Sequence, residues 1–587
     1  MKTCPFDFQR FIDGWVREIA MSRCHLSEDF DPQILPSDPR FGDFQCNGIF
    51  AHAKRSGMVP RQLGERVLEA LQSSDAAHLC DLSLAGAGFI NFKIAVPAIE
   101  NWLATYTSEE DFSDATGDLS GKTIVVDYSC PNTAKQMHVG HLRSMVIGDA
   151  IARLLDFFGA DVIRDNHLGD WGTQFGILLM QLREEKISWE NLSPDETLEC
   201  LETVYRRGTQ ATQASDDAME RARAELVALQ NGDPERIATW KWINAVSYAS
   251  FQEIYDLAGV KFDHVLGESF YRNRVNRVYD ELSQCGIAEA DEGALVVFHR
   301  DHPRFDQQPF IVRKRDGASN YATTDLATVL YRREEWHCNE IIYVTDGRQR
   351  DHFQQLFLTV ERWFAAKGYT LPVLKHVWFG TVCGEDGKAI KTRSGEPIRL
   401  KTLFAEAIHR AEEIVVSKDS NLAAEERVHI SRAVGIGAIK YGDLLQNRTS
   451  DYMFSWDKML SLEGNTAPYL QYAVARLHAI FRRANVDPHA LGKSHKIHLQ
   501  EPQEIALARK LLFYPCVLRQ ALADLRPHFI CTYIYELAGV FSTFYNSTKV
   551  LDADQQTLFS RLSLCARTRA ILRSGLNLLG INALERM

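Results

Sequence analysis

The chain has 587 residues, 45% of them hydrophobic, 24% charged and 10% aromatic. That composition excludes collagen-like, low-complexity and extensively disordered chains, and the length accommodates three to five domains. No apolar run approaches 18 residues and the first fifteen lack a signal-peptide core, so neither a membrane span nor secretion is expected.

The 12 cysteines never fall within four residues of one another, which rules out CxxC zinc or redox pairs and predicts reduced thiols in the cytoplasm. Net charge is −11, but unevenly placed. Residues 451–587 carry 16 Lys and Arg against 11 Asp and Glu, a net +5, which leaves −16 on residues 1–450. The net charge taken whole argues against a nucleic-acid partner, but the asymmetry suggests a basic C-terminal module on an acidic body, with compositional noise as the plain alternative.

In chain order, helical periodicity covers Phe8–Met21 and Pro60–Gln72, and a strand follows at Gly88–Phe92. Residues 1–110 therefore read as an α+β N-terminal domain. Ser108–Gly121 is polar, acidic and glycine-punctuated, as a linker would be. Thr123–Ser129 holds the Ile-Val-Val core of a buried parallel strand, a helix runs from Gly140 to Phe158, and a second strand lies at Val162–Ile163. Strand, crossover helix and strand form the unit of a parallel, Rossmann-like α/β sheet, assigned to residues 120–400. A polar helical insertion interrupts it near 190–235. Further strands are predicted at Ile341–Val344 and Val377–Phe379, with a helix at Asp351–Ala365 between them. Beyond 400 the periodicity is helical almost throughout: a connection over 401–450, then an all-helical domain over 451–587.

The chemistry concentrates after the first strand, in Asp127-Tyr-Ser-Cys-Pro-Asn-Thr-Ala-Lys-Gln-Met-His-Val-Gly-His141. His138 and His141 open a helix, where unpaired backbone N–H groups and the helix dipole attract phosphate. Two imidazoles there can donate hydrogen bonds to a phosphoryl group as charge builds on it. Gly140, lacking a side chain, lets a flat ring approach the backbone. His-x-Gly-His alone is weak, although chance gives only about 0.04 occurrences in this composition; a pair of capping histidines is the plain alternative.

The run HVGH resembles the HIGH signature of class I aminoacyl-tRNA synthetases. SCPNTAKQMHVGHLRS, HLGDWGTQFG (167–176), EGNTAPY (463–469) and the C-terminal LGI…ERM are similar to the arginyl-tRNA synthetase versions of these blocks. The resemblance implies ATP-dependent activation of L-arginine, with Mg²⁺ accompanying ATP and no zinc, then transfer to the 2′-hydroxyl of the terminal adenosine of tRNA(Arg). It implies that His138, Gly140 and His141 contact ATP and that Ser129 and Asn132 hold the amino acid. The degenerate counterpart of the KMSKS loop is Gly387–Gly395, from which Lys391 and Arg393 are expected to join Lys135 in supplying positive charge. Glu268, Tyr321, Asp325 and Gln349 match the family's arginine contacts, and guanidinium physics agrees: a planar donor fork wants carboxylates and a flat ring. Thr323 or Thr324 is read as the cap that puts Asp325 in a first helical turn, after an Asp316-Gly317 hairpin. The N-terminal module is implied to touch the tRNA elbow through Phe89 and Asn91, and the C-terminal module to read the anticodon through residues such as Tyr469 and Arg476. Most of its aromatics at helical spacing are nonetheless expected to be core. A monomer is expected, without an editing domain, making adenylate only with tRNA bound.

Three other readings compete. A class I synthetase for an apolar or thiol substrate has no use for two acids. A synthetase-like RNA-binding protein without catalysis would not need the histidine pair. A nucleotidyltransferase with an HxGH site would lack the large helical C-terminal domain.

Overall fold

The computed structural model describes residues 4–185, 192–315, 321–384, 386–388, 390, 397–418, 422–492 and 497–587. At its centre is a five-stranded, wholly parallel sheet built from β1 (Thr123–Asp127), β2 (Asp161–Asn166), β3 (His264–Val265), β4 (Glu340–Tyr343) and β5 (Val373–His376). The spatial order is β5-β4-β1-β2-β3. The chain leaves β1 towards one edge and returns for β4 on the other side of β1, so a crevice opens at the carboxyl ends of β1 and β4, where doubly wound sheets bind ligands. Ile124, Val125 and Val126 are all buried, as a strand covered on both faces requires. Helix α1 (Val139–Phe157) packs over the sheet, with Gly148 against the Tyr128 ring; a Cβ there would lie 2.3 Å from a ring atom.

The expected strand at Val377–Phe379 is displaced: β5 ends at His376. As the outermost strand it exposes alternate residues, and the resulting Val-Leu-Lys-His pattern hides among polar neighbours. The 108–121 linker is not wholly irregular. Ser108 forms a capping box with Asp111 over the short helix Glu109–Asp114, whose buried Phe112 meets Tyr514 edge-on at 5.7 Å. Helices Pro194–Ala214 and Asp216–Gln230 make up the polar insertion.

The N-terminal region is α+β, with a four-stranded antiparallel sheet (Ile34–Pro36, Phe44–Cys46, Phe89–Ile94, Cys80–Ala85) carrying helices Phe8–Ser22 and Pro60–Gln72. A three-stranded antiparallel sheet (Glu289–Asp291, Ala294–Val297, Phe310–Arg313) lies between β3 and β4; the sequence reading missed it because its strands are three or four residues long. The C-terminal region is helical, from Ala467–Ala484 to Gln555–Leu578. No helix among the described residues is long and apolar enough to cross a membrane.

Candidate active site

Between β1 and α1 the backbone turns sharply. Ser129, Cys130 and Ala134 all adopt positive φ, at 73°, 47° and 63°. Such conformations are costly for residues with a Cβ, and their clustering marks a segment that its surroundings hold in place. The holders are visible. Ser129 N–H donates to Ser144 Oγ at 2.8 Å, Cys130 N–H to Asn166 Oδ1 at 3.1 Å, and Ala134 N–H to Ser247 Oγ at 2.9 Å. Beneath them Arg332 Nη2 donates to Asp127 at 2.5 Å and to Asp165 at 2.7 Å, joining the ends of β1 and β2 through a fully buried cation. Asn132 lies on the exposed side of the turn, pressed against Gly169 so closely that a Cβ there would sit 1.9 Å from its Oδ1.

The two histidines cap α1 together. Gly140 N–H donates to His138 Nδ1 at 3.0 Å, and His138 N–H donates to His141 Nδ1 at 3.1 Å. With both Nδ1 atoms accepting, each neutral ring carries its proton on Nε2 and presents an N–H donor. The rings lie 4.2 Å apart. Burial, then the charge of Lys135, then Arg348 lower the His138 pKa; burial, then His138, push His141 down to about 3. Both are therefore neutral donors at physiological pH. The role expected of Gly140 takes a specific form: the flat ring against its backbone is the His138 imidazole, 2.7 Å from where a Cβ would be. Lys135 stands beside the pair, its ammonium 5.0 Å from the Tyr205 ring of the inserted helix.

Lys391 and Arg393 lie outside the described residues, as does the Asp316-Gly317 turn. Both flanks of the basic loop are anchored. Ile390 N–H donates to Val382 O at 3.1 Å, and Val139 N–H donates to Ile398 O at 2.8 Å, next to an antiparallel bridge between His138 and Arg399. The loop thus returns to the backbone of the histidine cap.

The acidic end of the crevice is assembled from distant segments. Asp170, buried, accepts from Ser269 N–H at 2.8 Å and from Ser269 Oγ at 2.6 Å. Gly267 permits this contact, since a Cβ there would fall 2.3 Å from the carboxylate. The pinned Gly267–Ser269 loop carries Glu268, whose N–H donates to Leu168 O at 3.0 Å. Burial lifts the Glu268 pKa to about 7; His167 opposes the rise, and Asp325 and Asp170 add to it. Asp325 sits on helix α2 (Tyr321–Glu335), one turn beyond Tyr321. Thr323 and Thr324 lie inside this helix and do not cap it: their hydroxyls donate to Val312 O and Tyr321 O, because the helix begins at least two residues earlier than their capping chemistry suggests. Tyr321 is 72% exposed, at the mouth, with Glu268, Tyr205 and Asp325 in electrostatic reach of its hydroxyl. Gln349 is exposed at the N-cap position of helix α3 (Arg350–Lys367), its side chain making no capping hydrogen bond, in the loop that follows β4.

Ser129 turns inward, its hydroxyl 2.9 Å from Tyr255 Oη, which also accepts from Asn166 Nδ2 at 3.0 Å. Sequence reasoning assigned no role to Asp170, His167, Tyr255 or His352. The first two lie in the HLGDWG run, and His352 follows Gln349 by three residues, a spacing that could have raised it.

Away from the crevice, Phe89 stacks on Phe50 with ring centres 6.1 Å apart, whereas Asn91 is buried and accepts from Gln45 Nε2 at 2.7 Å. In the C-terminal domain Arg476 lies 4.4 Å over the Tyr545 ring, and Tyr469 meets Tyr535 edge-on at 5.7 Å. Tyr472, Arg476, Arg482, Arg483 and Tyr545 line a groove of about 620 Å³. Tyr533, Phe541 and Phe544 are core.

A doubly wound sheet with a paired-imidazole helix cap at its switch point and a helical C-terminal domain defines a class I aminoacyl-tRNA synthetase. The family profile described as "tRNA synthetases class I (R), catalytic domain" matches residues 109–456, "DALR anticodon binding domain" matches 470–587, and "Arginyl tRNA synthetase N terminal domain" matches 14–94. The chain is 43% identical to an arginine–tRNA ligase of Marinomonas sp. (strain MWYL1) over 93% of its own length and 94% of the relative's. It is 41% identical to that of Actinobacillus succinogenes over 99% and 100%. Among solved structures, the arginyl-tRNA synthetase of Plasmodium falciparum superposes over the full length of both chains with a TM-score of 0.84 at 26% identity. The chain belongs to the arginyl-tRNA synthetase family.

Proposed function

We propose that this chain joins L-arginine to tRNA(Arg) in two steps within the crevice between Lys135 and Asp325. One observation carries the reading: neutral N–H donors at one end of the crevice (His138, His141) are matched by two carboxylates at the other (Glu268, Asp325), the arrangement that brings a phosphate and a guanidinium to opposite ends of one reacting pair. In the first step an arginine carboxylate oxygen attacks the α-phosphorus of ATP, and pyrophosphate leaves. The Nε2–H groups of His138 and His141 and the positive end of the α1 dipole stabilise charge gathering on the phosphate oxygens. Lys135, with Lys391 and Arg393 from the anchored loop, offsets the charge of the departing pyrophosphate. ATP enters as its Mg²⁺ complex. Glu268 and Asp325 divide the guanidinium between them, Tyr321 covers its plane, and Asn132, Gln349 and the Ser129 turn hold the amino-acid end. Positioning of this kind, with no covalent nucleophile, suffices for displacement at phosphorus. In the second step the 2′-hydroxyl of the terminal adenosine attacks the arginyl carbonyl, and AMP leaves.

In this reading Phe89 faces the tRNA elbow, while Asn91, buried against Gln45, supports the strand behind it, and the groove beside Arg476 and Tyr469 takes unstacked anticodon bases by ring stacking and cationic contact. Every group named comes from one chain, so a monomer suffices for this reading. Its 12 free cysteines suit the reducing cytoplasm. Charging of total tRNA with each amino acid in turn tests the whole: only arginine is expected to be esterified, and absence of arginine-dependent charging refutes it.

A further inference from the structure

We infer that His352 is a positioning residue for arginine selection: its imidazole ties down one oxygen of the Asp325 carboxylate and leaves the other to face the guanidinium. The inference rests on the proposed role of Asp325. His352 is the third residue of α3, and its Nε2 lies 2.6 Å from Asp325 Oδ2. An ionised carboxylate can only accept, so the imidazole donates. The ring is wedged between Phe310 at 5.7 Å and Phe353 at 5.3 Å, the latter edge-on, and this packing fixes its direction. Both side chains are shielded, His352 at 28% and Asp325 at 18% exposure, which strengthens the bond relative to one in open water. Among the described residues Asp325 Oδ1 has no hydrogen-bond partner.

Two consequences follow for recognition. With one lone pair of Oδ2 taken by His352, a parallel fork on Asp325 would have to share that oxygen, and Oδ1 is the better acceptor for a single prong. A second acceptor relieves that sharing, and Glu268 is the acid within electrostatic reach. Selection by two half-used acids, set apart by a fixed angle, demands a planar ligand with divergent N–H groups. A lysine ammonium is a compact point charge that cannot span them.

The test compares His352→Phe, His352→Gln and Asp325→Ala in ATP–pyrophosphate exchange with tRNA present, reading the KM for arginine, the KM for ATP, kcat, and inhibition by agmatine, which keeps the guanidinium but has no carboxylate. His352→Phe is expected to raise the arginine KM and the agmatine inhibition constant by the same factor, roughly 10- to 100-fold, the size of one lost hydrogen bond to a charged group. The KM for ATP should stay within about twofold, and His352→Gln, with an amide N–H in reach of Oδ2, should recover most of the loss. If His352→Phe does not fold, His352→Asn, too short to reach Oδ2, takes its place against His352→Gln. An arginine KM unchanged in the His352 variants, or a loss shared equally by ATP and kcat, overturns the inference while an elevated KM in Asp325→Ala leaves the pocket standing. An unchanged KM in Asp325→Ala removes the pocket itself.

Discussion

The two ends of the crevice are made in opposite ways. The nucleotide end comes from one unbroken stretch, residues 129–141: its histidine cap closes locally, His138 to His141 and Gly140 to His138, while the turn before it is held from outside by Ser144, Asn166 and Ser247. The amino-acid end is gathered from four separate stretches, 167–170, 267–269, 321–325 and 349–352, each oriented by another. The functional groups of the first sit together in sequence. The second is specific because it is assembled, and its strength depends on the placement of charges that dislike one another.

That difference can be tested by disturbing each end in turn. Asp325→Ala should do most harm, since it leaves a guanidinium in the pocket with half its counter-charge; a cost of roughly 3–5 kcal/mol predicts a rise of 10²-fold or more in the arginine KM, with the KM for ATP unmoved. His141→Ala should lower kcat for pyrophosphate exchange roughly 10²- to 10³-fold, as expected for one lost transition-state donor, with arginine binding preserved. Equal damage to both substrates in either variant would show that the ends are not separable. Gly267→Ala forces a methyl against the Asp170 carboxylate, and the displaced loop should cost about 1–3 kcal/mol in arginine binding by raising KM.

Proton linkage distinguishes the ends further. In the empty pocket Glu268 titrates near 7, above its ordinary value, so below that pH it carries a proton that must leave before it can pair with a guanidinium. The arginine KM should therefore rise as pH falls through about 7, by at most about tenfold per unit, and level off above it. His141, held down to about 3, contributes no such limb, so kcat at saturating arginine should stay flat across the same range. The smallest effect is expected far from both ends: Arg476→Ala should raise the KM for tRNA by a few-fold, about 1 kcal/mol for one half-buried cation over a ring, without touching pyrophosphate exchange at saturating tRNA.

The same contrast explains what the sequence disclosed. His138, Gly140 and His141 are legible because their geometry is a matter of helix capping over four residues. Lys135, beside them, was named through the resemblance alone. Glu268 and Asp325 could be named only through resemblance, because nothing in Leu-Gly-Glu-Ser or Thr-Thr-Asp says that the two acids approach each other; that is decided by Asp170 gripping one loop and by a short three-stranded sheet backing α2. His352 was silent because a histidine in a first helical turn is ordinary until an acid from another helix is found 2.6 Å away. The Thr323/Thr324 cap and the strand at Val377–Phe379 failed for local reasons: threonine also bonds back into its own helix, and an edge strand loses the apolar run that betrays a central one.

Helix α1 reaches well beyond the crevice. Arg143 and Asp149, both buried on it, meet Asp443 at 3.2 Å and Lys440 at 3.8 Å on the helix Ala424–Leu444, and the Lys440 ammonium donates to Gly580 O at 2.8 Å near the end of the chain. A fragment cut after the sheet would thus strand Arg143 without its counter-ion, and leave Asp149 with Arg153 alone, in the very helix that aims the imidazoles. The two halves of this molecule are therefore not interchangeable cassettes: grafting a different RNA-reading tail onto the sheet would succeed only if the graft brought its own Lys and Asp to those two sockets.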